Sequence, residues 1–279
     1  MALIPKKNIG EKLAELIYKG IQDKDGGEQW LTKLGASSIG NECRRALWYS
    51  WRGFNHEVFE GRILRLFGTG HQQEARIIAD MRQAGAEIWD KDEETGKQYR
   101  WLDETGHFIC KPDGVIRWAP YMNNAHILEV KSHNDKSYVD LVKNGVRVSK
   151  PDHNWQMQSG MYFSGLHAAL YVGINKNDEQ LHLEIVERDE VLIRRLYETK
   201  ESVIKATIPP ARISENQSLY SCQWCPHLEV CAGREGPLIN CRTCVHSKPI
   251  EDGEWACMKH GTVLDHAAQL KGCEDHEPY

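Results

Sequence analysis

The 279-residue sequence contains no apolar run near the roughly 18 residues that cross a bilayer, and its opening, MALIPKKNIGEK, lacks the hydrophobic stretch of a secretory signal. A soluble, cytoplasmic protein in a reducing compartment, with no membrane partner, is expected. Internal repeats and low-complexity segments are missing, and no G-x4-G-K-S/T motif occurs, so any unwinding of a nucleic acid would come from another protein. Strong charge of either sign is also missing. The net charge of -5 excludes a simple electrostatic DNA binder, but it is unevenly placed, because residues 241–279 hold four Lys/Arg against seven Asp/Glu. The rest is nearly neutral, so a nucleic-acid partner needs local basic stripes or bound metal ions to offset its phosphates.

Cysteine is plentiful, with nine residues. In a reducing compartment these read as ligands before they read as disulfides. Cys110 stands apart as a buried apolar side chain. Cys222, Cys225 and Cys231 are spaced C-x2-C-x5-C, with Cys241 and Cys244 downstream. Spacing alone allows two arrangements. Cys222/Cys225 with Cys241/Cys244 make C-x2-C-x15-C-x2-C, a common zinc pattern that strands Cys231. Alternatively, a distant cysteine completes a cluster with the triplet.

Hydrophobic periodicity gives an amphipathic helix over 11–22 through Leu13, Leu16, Ile17 and Tyr18. Residues 37–54 form a short helix carrying Cys43, Arg44, Arg45, Trp48, Trp51 and Arg52. Arginines interleaved with tryptophans can stack on bases and hold phosphates, making Arg44, Arg45, Trp48 and Arg52 candidate DNA contacts. The plainer reading makes the tryptophans core and the arginines a solvated face. A helix over 56–84 leads to strands at 86–90 and 97–102, then adjacent strands within 106–118 and 125–133. A helix near 153–168, strands near 169–175 and 180–187, and a helix near 188–206 follow. This β-β-α-β order with flanking helices predicts an α/β sandwich around a mixed sheet, with one main core.

In LEVKS, Glu129 and Lys131 lie two apart and face the same side of a strand. Asp113, in CKPDGV, opposes them if the two strands are neighbours. Two carboxylates suit a hard cation such as magnesium or manganese, and lysine can steady developing charge. Alone, Glu-x-Lys is a commonplace charged pair. Pro112-Asp113 followed by Glu129-Val130-Lys131 resembles the pattern of the PD-(D/E)XK nucleases. Two further stretches are similar to the RecB-like exonuclease branch: FGTGHQQEARI (67–77), with His71 and Glu74 on one helical face, and HNWQMQSGMYFSG (153–165), with Gln158 and Tyr162 four apart. Ser159 stands where that branch has a hydrophobic residue. The combined pattern runs over roughly residues 37–235.

The resemblance implies a restriction-endonuclease-like core and a metal-dependent DNA exonuclease, or one with endonuclease activity beside it. It implies magnesium or manganese held by His71, Asp113, Glu129 and Val130, and catalysis by Asp113, Glu129 and Lys131. Gln158 then supports the lysine or the substrate, and Tyr162 packs or contacts nucleic acid. Some relatives resembling the AddB subunit carry an iron–sulfur cluster on one cysteine before the core and C-x2-C-x5-C after it. By that likeness Cys43, Cys222, Cys225 and Cys231 hold a four-iron four-sulfur cluster, clasping residues 37–54 to 211–235. Cys241, Cys244, Cys257 and Cys273 are left for a structural zinc site, with His246, His260 and His276 as substitutes. The expected organisation is an N-terminal helical segment (1–36), a nuclease domain (37–235) and a cysteine-rich module (238–279). Expected partners are DNA and a separate helicase or recombination protein, in recombination, repair or replication. The rival readings are a catalytically inactive nucleic-acid scaffold and a redox-responsive regulator.

Overall fold

The computed structural model describes residues 9–25 and 33–279, so much of the expected 1–36 segment lies outside the described residues. In chain order the elements are α1 (Ile9–Asp25), β1 (Leu34–Gly35), α2 (Arg44–Arg52), α3 (Gly61–Gln83), β2 (Glu87–Trp89), β3 (Trp101–Leu102), β4 (Phe108–Cys110), β5 (Gly114–Trp118) and β6 (Met122–His133). Then come α4 (Asp135–Ser149), α5 (Pro151–Ser164), β7 (Ala168–Asn175), β8 (Leu181–Glu187) and α6 (Glu190–Ile204). The last part holds α7 (Tyr220–Gln223), α8 (Leu228–Cys231), β9 (Ser247–Pro249), β10 (Trp255–Cys257), β11 (Thr262–Leu264) and α9 (His266–Gln269). Among the described residues no helix is long and apolar enough to cross a membrane.

The central sheet has the order β2-β5-β6-β7-β8. Only β6 and β7 are parallel, and the other neighbours run antiparallel, so the sheet is mixed as expected. Parallel neighbours need a crossover, and α4 with α5 supplies it on one face. β7 is buried along nearly its whole length, which is why AALYVGIN reads as a continuous apolar run without alternation. One sheet face packs on Ile77, Ile78 and Met81 of α3 through Leu128, Val130, Leu170, Val172 and Ile174. The other packs Ile127, Ala169, Tyr171 and Val186 on Leu141, Val146, Met157 and Met161 from α4 and α5.

Helix α4 is absent from the sequence reading. Gly145, at φ 71°, breaks its helical path, and the chain restarts where the Val146 N–H donates to the Glu184 carboxylate at 3.0 Å. Helix α5 stops four residues before the expected end because Gly165 takes up φ 71°, a left-handed conformation that suits glycine at a helix C-terminus.

A third cluster joins α2, β4, α6 and the C-terminal tail: Leu47, Trp48, Trp51, Phe108, Leu196, Val203, Trp255 and Leu264 are buried together. Cys110 lies in it at 1% exposure, the apolar role expected of it. The candidate DNA contacts on α2 are corrected here. Trp48 is 0% and Arg52 1% exposed, so neither reaches a nucleic acid. Arg52 runs inward instead, donating to the Arg242 carbonyl at 2.8 Å, with its guanidinium 4.6 Å from the Trp48 ring centre, 5.0 Å from Trp255 and 4.8 Å from Tyr279. Arg242, Trp255 and Tyr279 come from the tail, about 190 or more positions away, which covers the helix face that periodicity alone would leave to solvent. Arg45 is half-buried on the Pro210 carbonyl, and of the four only Arg44 is exposed.

Candidate active site

Alternation along β6 sends Glu129 and Lys131 to one face and Val130 into the core against α3. Antiparallel pairing sets Gly114 against Leu128, so Asp113, the residue entering β5, arrives beside Glu129. Its Oδ2 accepts the Val130 N–H at 2.8 Å, which fixes the carboxylate from below. Lys131 donates its ammonium to Glu129 and lies 3.7 Å from Asp113 Oδ2. Glu129 is 1% and Asp113 7% exposed.

Two further residues complete the set. Gln156 on α5 donates Nε2 to Glu129 Oε2 at 3.0 Å. Glu74 on α3 is close enough to feel Asp113 and Lys131, and burial followed by the Asp113 charge pushes its carboxyl up to about 7. Glu129 is pushed to about 8, again by burial first and by Asp113 second. For Lys131 burial works downward, but Glu129 and Asp113 outweigh it and hold the ammonium above the usual lysine range. Glu74, Asp113 and Glu129 thus crowd one ammonium, and burial together with the Asp113 charge holds Glu74 and Glu129 toward their neutral forms.

A second polar network lies beside this group. On the same face of β6, His133 Nε2 lies 2.8 Å from the Tyr171 hydroxyl, which lies 2.8 Å from His153 Nδ1. His133 Nδ1 is 3.0 Å from the Ser137 hydroxyl. Burial first, with Lys131 and Lys150 nearby, lowers His133 to about 4 and His153 to about 3, so both rings are neutral near pH 7.

The structure does not bring every expected residue to this point. His71 is exposed one turn before Glu74, and no hydrogen bond or ion pair of its side chain is found among the described residues. Glu74 is the α3 residue that faces the carboxylates. Gln158 is fully buried elsewhere: it donates to the Glu187 carbonyl at 3.0 Å and accepts the Asp189 N–H at 2.9 Å, tying α5 to the start of α6. Tyr162 sits edge-on to Phe163, with Lys200, Glu104 and Asp103 as its charged neighbours. A helix turns about 100° per residue, so Gln156 and Gln158 point to nearly opposite sides. The four-residue spacing to Tyr162 favours Gln158 in the sequence, and nothing in WQMQ tells which glutamine faces the strand.

The cysteines gather into two groups. Burial raises the Cys225 thiol, the His227 backbone N–H donates to its sulfur, and Cys43, Cys231 and Cys222 are its electrostatic neighbours. In the tail, burial raises Cys241, with Cys273, Cys257 and Cys244 around it. The Glu277 N–H donates to Cys244 Sγ at 3.5 Å, and these four thiols line one small cleft with His246 and His260. Thiols accepting backbone N–H groups have the donor chemistry of soft-metal ligands. As placed, however, no group of three or more His, Cys, Asp or Glu side chains among the described residues is arranged to hold a metal ion. At the carboxylates, the Lys131 ammonium is the cation shared.

No family model matches this chain, and no curated protein matches it in sequence. Solved structures overlap with part of it. An alkaline exonuclease (LHK-Exo) from Laribacter hongkongensis has 18% identity and a TM-score of 0.46, covering 64% of this chain and 90% of that one. LHK-Exo in complex with dAMP gives 19% and 0.45 over the same shares. The structure of SSO0001 gives 13% and 0.43 over 80% of this chain and 98% of that one. These likenesses leave the chain's activity to be argued from its own residues.

Proposed function

We propose that the protein is a metal-dependent DNA nuclease of PD-(D/E)XK type, acting as an exonuclease on phosphodiester bonds in recombination, repair or replication. The observation that carries this reading is the convergence of Asp113, Glu129 and Lys131, joined by Gln156 from α5 on the Glu129 face of the sheet and by Glu74 from α3, whose carboxyl feels Asp113 and Lys131. Closely spaced carboxylate and carbonyl oxygens are hard donors that suit a divalent cation. Asp113, Glu129 and the Val130 carbonyl would hold magnesium or manganese, and His71 would join them if its side chain turned inward. Bound there, the cation supplies Lewis acidity toward the phosphodiester and lowers the pKa of water. The chain's own residues do the rest. Gln156 fixes one Glu129 oxygen and leaves the other to Lys131. The Lys131 ammonium orients the attacking water and steadies negative charge developing on the phosphate.

In this reading Cys43, Cys222, Cys225 and Cys231 hold a four-iron four-sulfur cluster with a structural role. Cys241, Cys244, Cys257 and Cys273 hold zinc. Arg44 is the α2 residue left to meet DNA, and a separate helicase or recombination protein supplies any unwinding.

End-labelled linear DNA incubated with the purified protein and magnesium or manganese tests the reading. Labelled ends should be released, and Lys131→Ala should slow release by roughly 100-fold or more. Wild-type protein inactive with both metals, or Lys131→Ala at full activity, overturns it.

A further inference from the structure

Strand β8 ends the central sheet, and no other strand among the described residues pairs with its outer side. Its pairing to β7 is antiparallel, with Tyr171 opposite Glu184 and Val172 opposite Leu183. The flanking bonds, Asn175 N–H to the Gln180 carbonyl and Arg188 N–H to the His167 carbonyl, set the phase of the ladder. Even-numbered residues therefore turn their backbone groups to β7, and Leu181, Leu183, Ile185 and Glu187 turn theirs outward. The Glu187 carbonyl already accepts from Gln158 and Arg147. The outward N–H and C=O groups of Leu181, Leu183 and Ile185 have no hydrogen bond among the described residues.

The side chains of those three residues continue the apolar face that packs on α3, since they lie opposite Ile174, Val172 and Leu170. Past the cover of α3 they are 49%, 45% and 46% exposed. The other face of β8 carries His182 and Glu184, 3.2 Å apart. An open edge with an apolar stripe is normally blunted by charge, proline or a bulge, and this one has none of these on its stripe.

We propose that β8 pairs with β8 of a second copy, antiparallel across a two-fold axis at Leu183, joining two five-stranded sheets into one. The sequence is complementary to itself in this register alone. Leu183 meets Leu183, and Leu181 meets Ile185 of the second copy, so every outward backbone group of these residues finds a partner. His182 falls directly opposite Glu184, setting an imidazole against a carboxylate twice across the axis. Moving the axis to Glu184 sets two carboxylates face to face and requires the occupied Glu187 carbonyl. Charge, apolar pattern and free backbone groups thus select the same occupant and register.

Sedimentation velocity over a concentration series, with cysteine cross-linking, tests this without reference to activity. The wild type should sediment as a dimer, and Leu183→Lys should shift it to monomer. Residues paired on the axis have Cα atoms about 5.5 Å apart, within disulfide range. Leu183→Cys should therefore give a covalent dimer on oxidation, while Leu181→Cys, facing Ile185, should give no more than the wild type. A wild type that stays monomeric up to its solubility limit, a dimer indifferent to Leu183→Lys, or equal cross-linking through Leu181→Cys overturns the proposal.

Discussion

Glu129 sits under opposing demands: the strand fixes it at 1% exposure beside Asp113, and burial then works against its charge. Its carboxyl, raised from 4.5 to about 8, binds a proton in the folded chain over a range where the unfolded chain has released it. Stability contributed this way is present below about pH 4.5 and is lost as pH rises through about 8. Buried neutral histidines act oppositely. His107, His133 and His227 are lowered to about 4 and His153 to about 3, each by burial first, so below the ordinary 6.5 the unfolded chain binds protons that they refuse. Their stability is present above pH 6.5 and lost toward 4. The melting temperature of metal-free protein should therefore peak near neutrality and fall by a few degrees, about 1 kcal/mol, between about pH 7 and 8. Glu129→Gln should shrink the alkaline fall to the part due to Glu74, whose carboxyl is raised to about 7, and spare the acid one. An unchanged alkaline limb in that variant would show that Glu129 is not the titrating group.

The two α5 glutamines allow a second separation at this scale. Gln156→Ala removes a bond to Glu129 and should cost roughly 10-fold or more in nuclease rate with a small change in melting temperature. Gln158→Ala leaves the half-buried Asp189 N–H without its partner and should cost about 1–3 kcal/mol in stability, with turnover kept in the folded fraction. Urea unfolding and rates measured on the same two preparations check both halves. The reverse assignment of losses would return Gln158 to the site.

At the scale of elements, legibility follows from whether the cause is local. Strands β6, β7 and β8 and helices α3 and α6 were readable because apolar runs and alternation encode them within a few residues. Asp113 opposite Glu129 was readable because short adjacent strands leave little choice of register. Helix α4 was not, since Gly145 interrupts its period and the carboxylate that rescues the restart lies on β8, at Glu184. The burial of Trp48 and Arg52 was equally hidden, because the surface that covers them belongs to Trp255 and Tyr279. This last case makes the tail part of the core that α2 needs. Trp255 is 0% exposed, with its ring centre 4.8 Å from that of Trp51. Trp255→Ala should destabilise the whole chain by about 3–5 kcal/mol. A single cooperative transition at lower temperature is expected, and a separate early melting of the tail, with the remaining residues unaffected, would count against shared packing.

Across the whole molecule the two proposed cysteine sites would do different mechanical work. Cys43 enters α2 and Cys222, Cys225 and Cys231 lie in and around α7 and α8, so the proposed cluster would close a loop of about 180 residues and restrict the unfolded chain strongly. Zinc on Cys241, Cys244, Cys257 and Cys273 would close a much shorter loop within the tail. The proximity of Cys241 to Cys257 and Cys273, and of Cys225 to Cys43, argues against the alternative pairing of Cys222/Cys225 with Cys241/Cys244. Anaerobically prepared protein should contain about four iron and four sulfide with one zinc per chain. Cys43→Ala should lose the iron, the sulfide and the visible absorption while keeping zinc, and Cys273→Ala should lose zinc while keeping iron. Because the longer loop is released, the Cys43 variant should show the larger fall in melting temperature. Two zinc ions without iron, unchanged by Cys43→Ala, would restore the zinc-ribbon pairing and leave Cys231 and Cys43 outside any metal site.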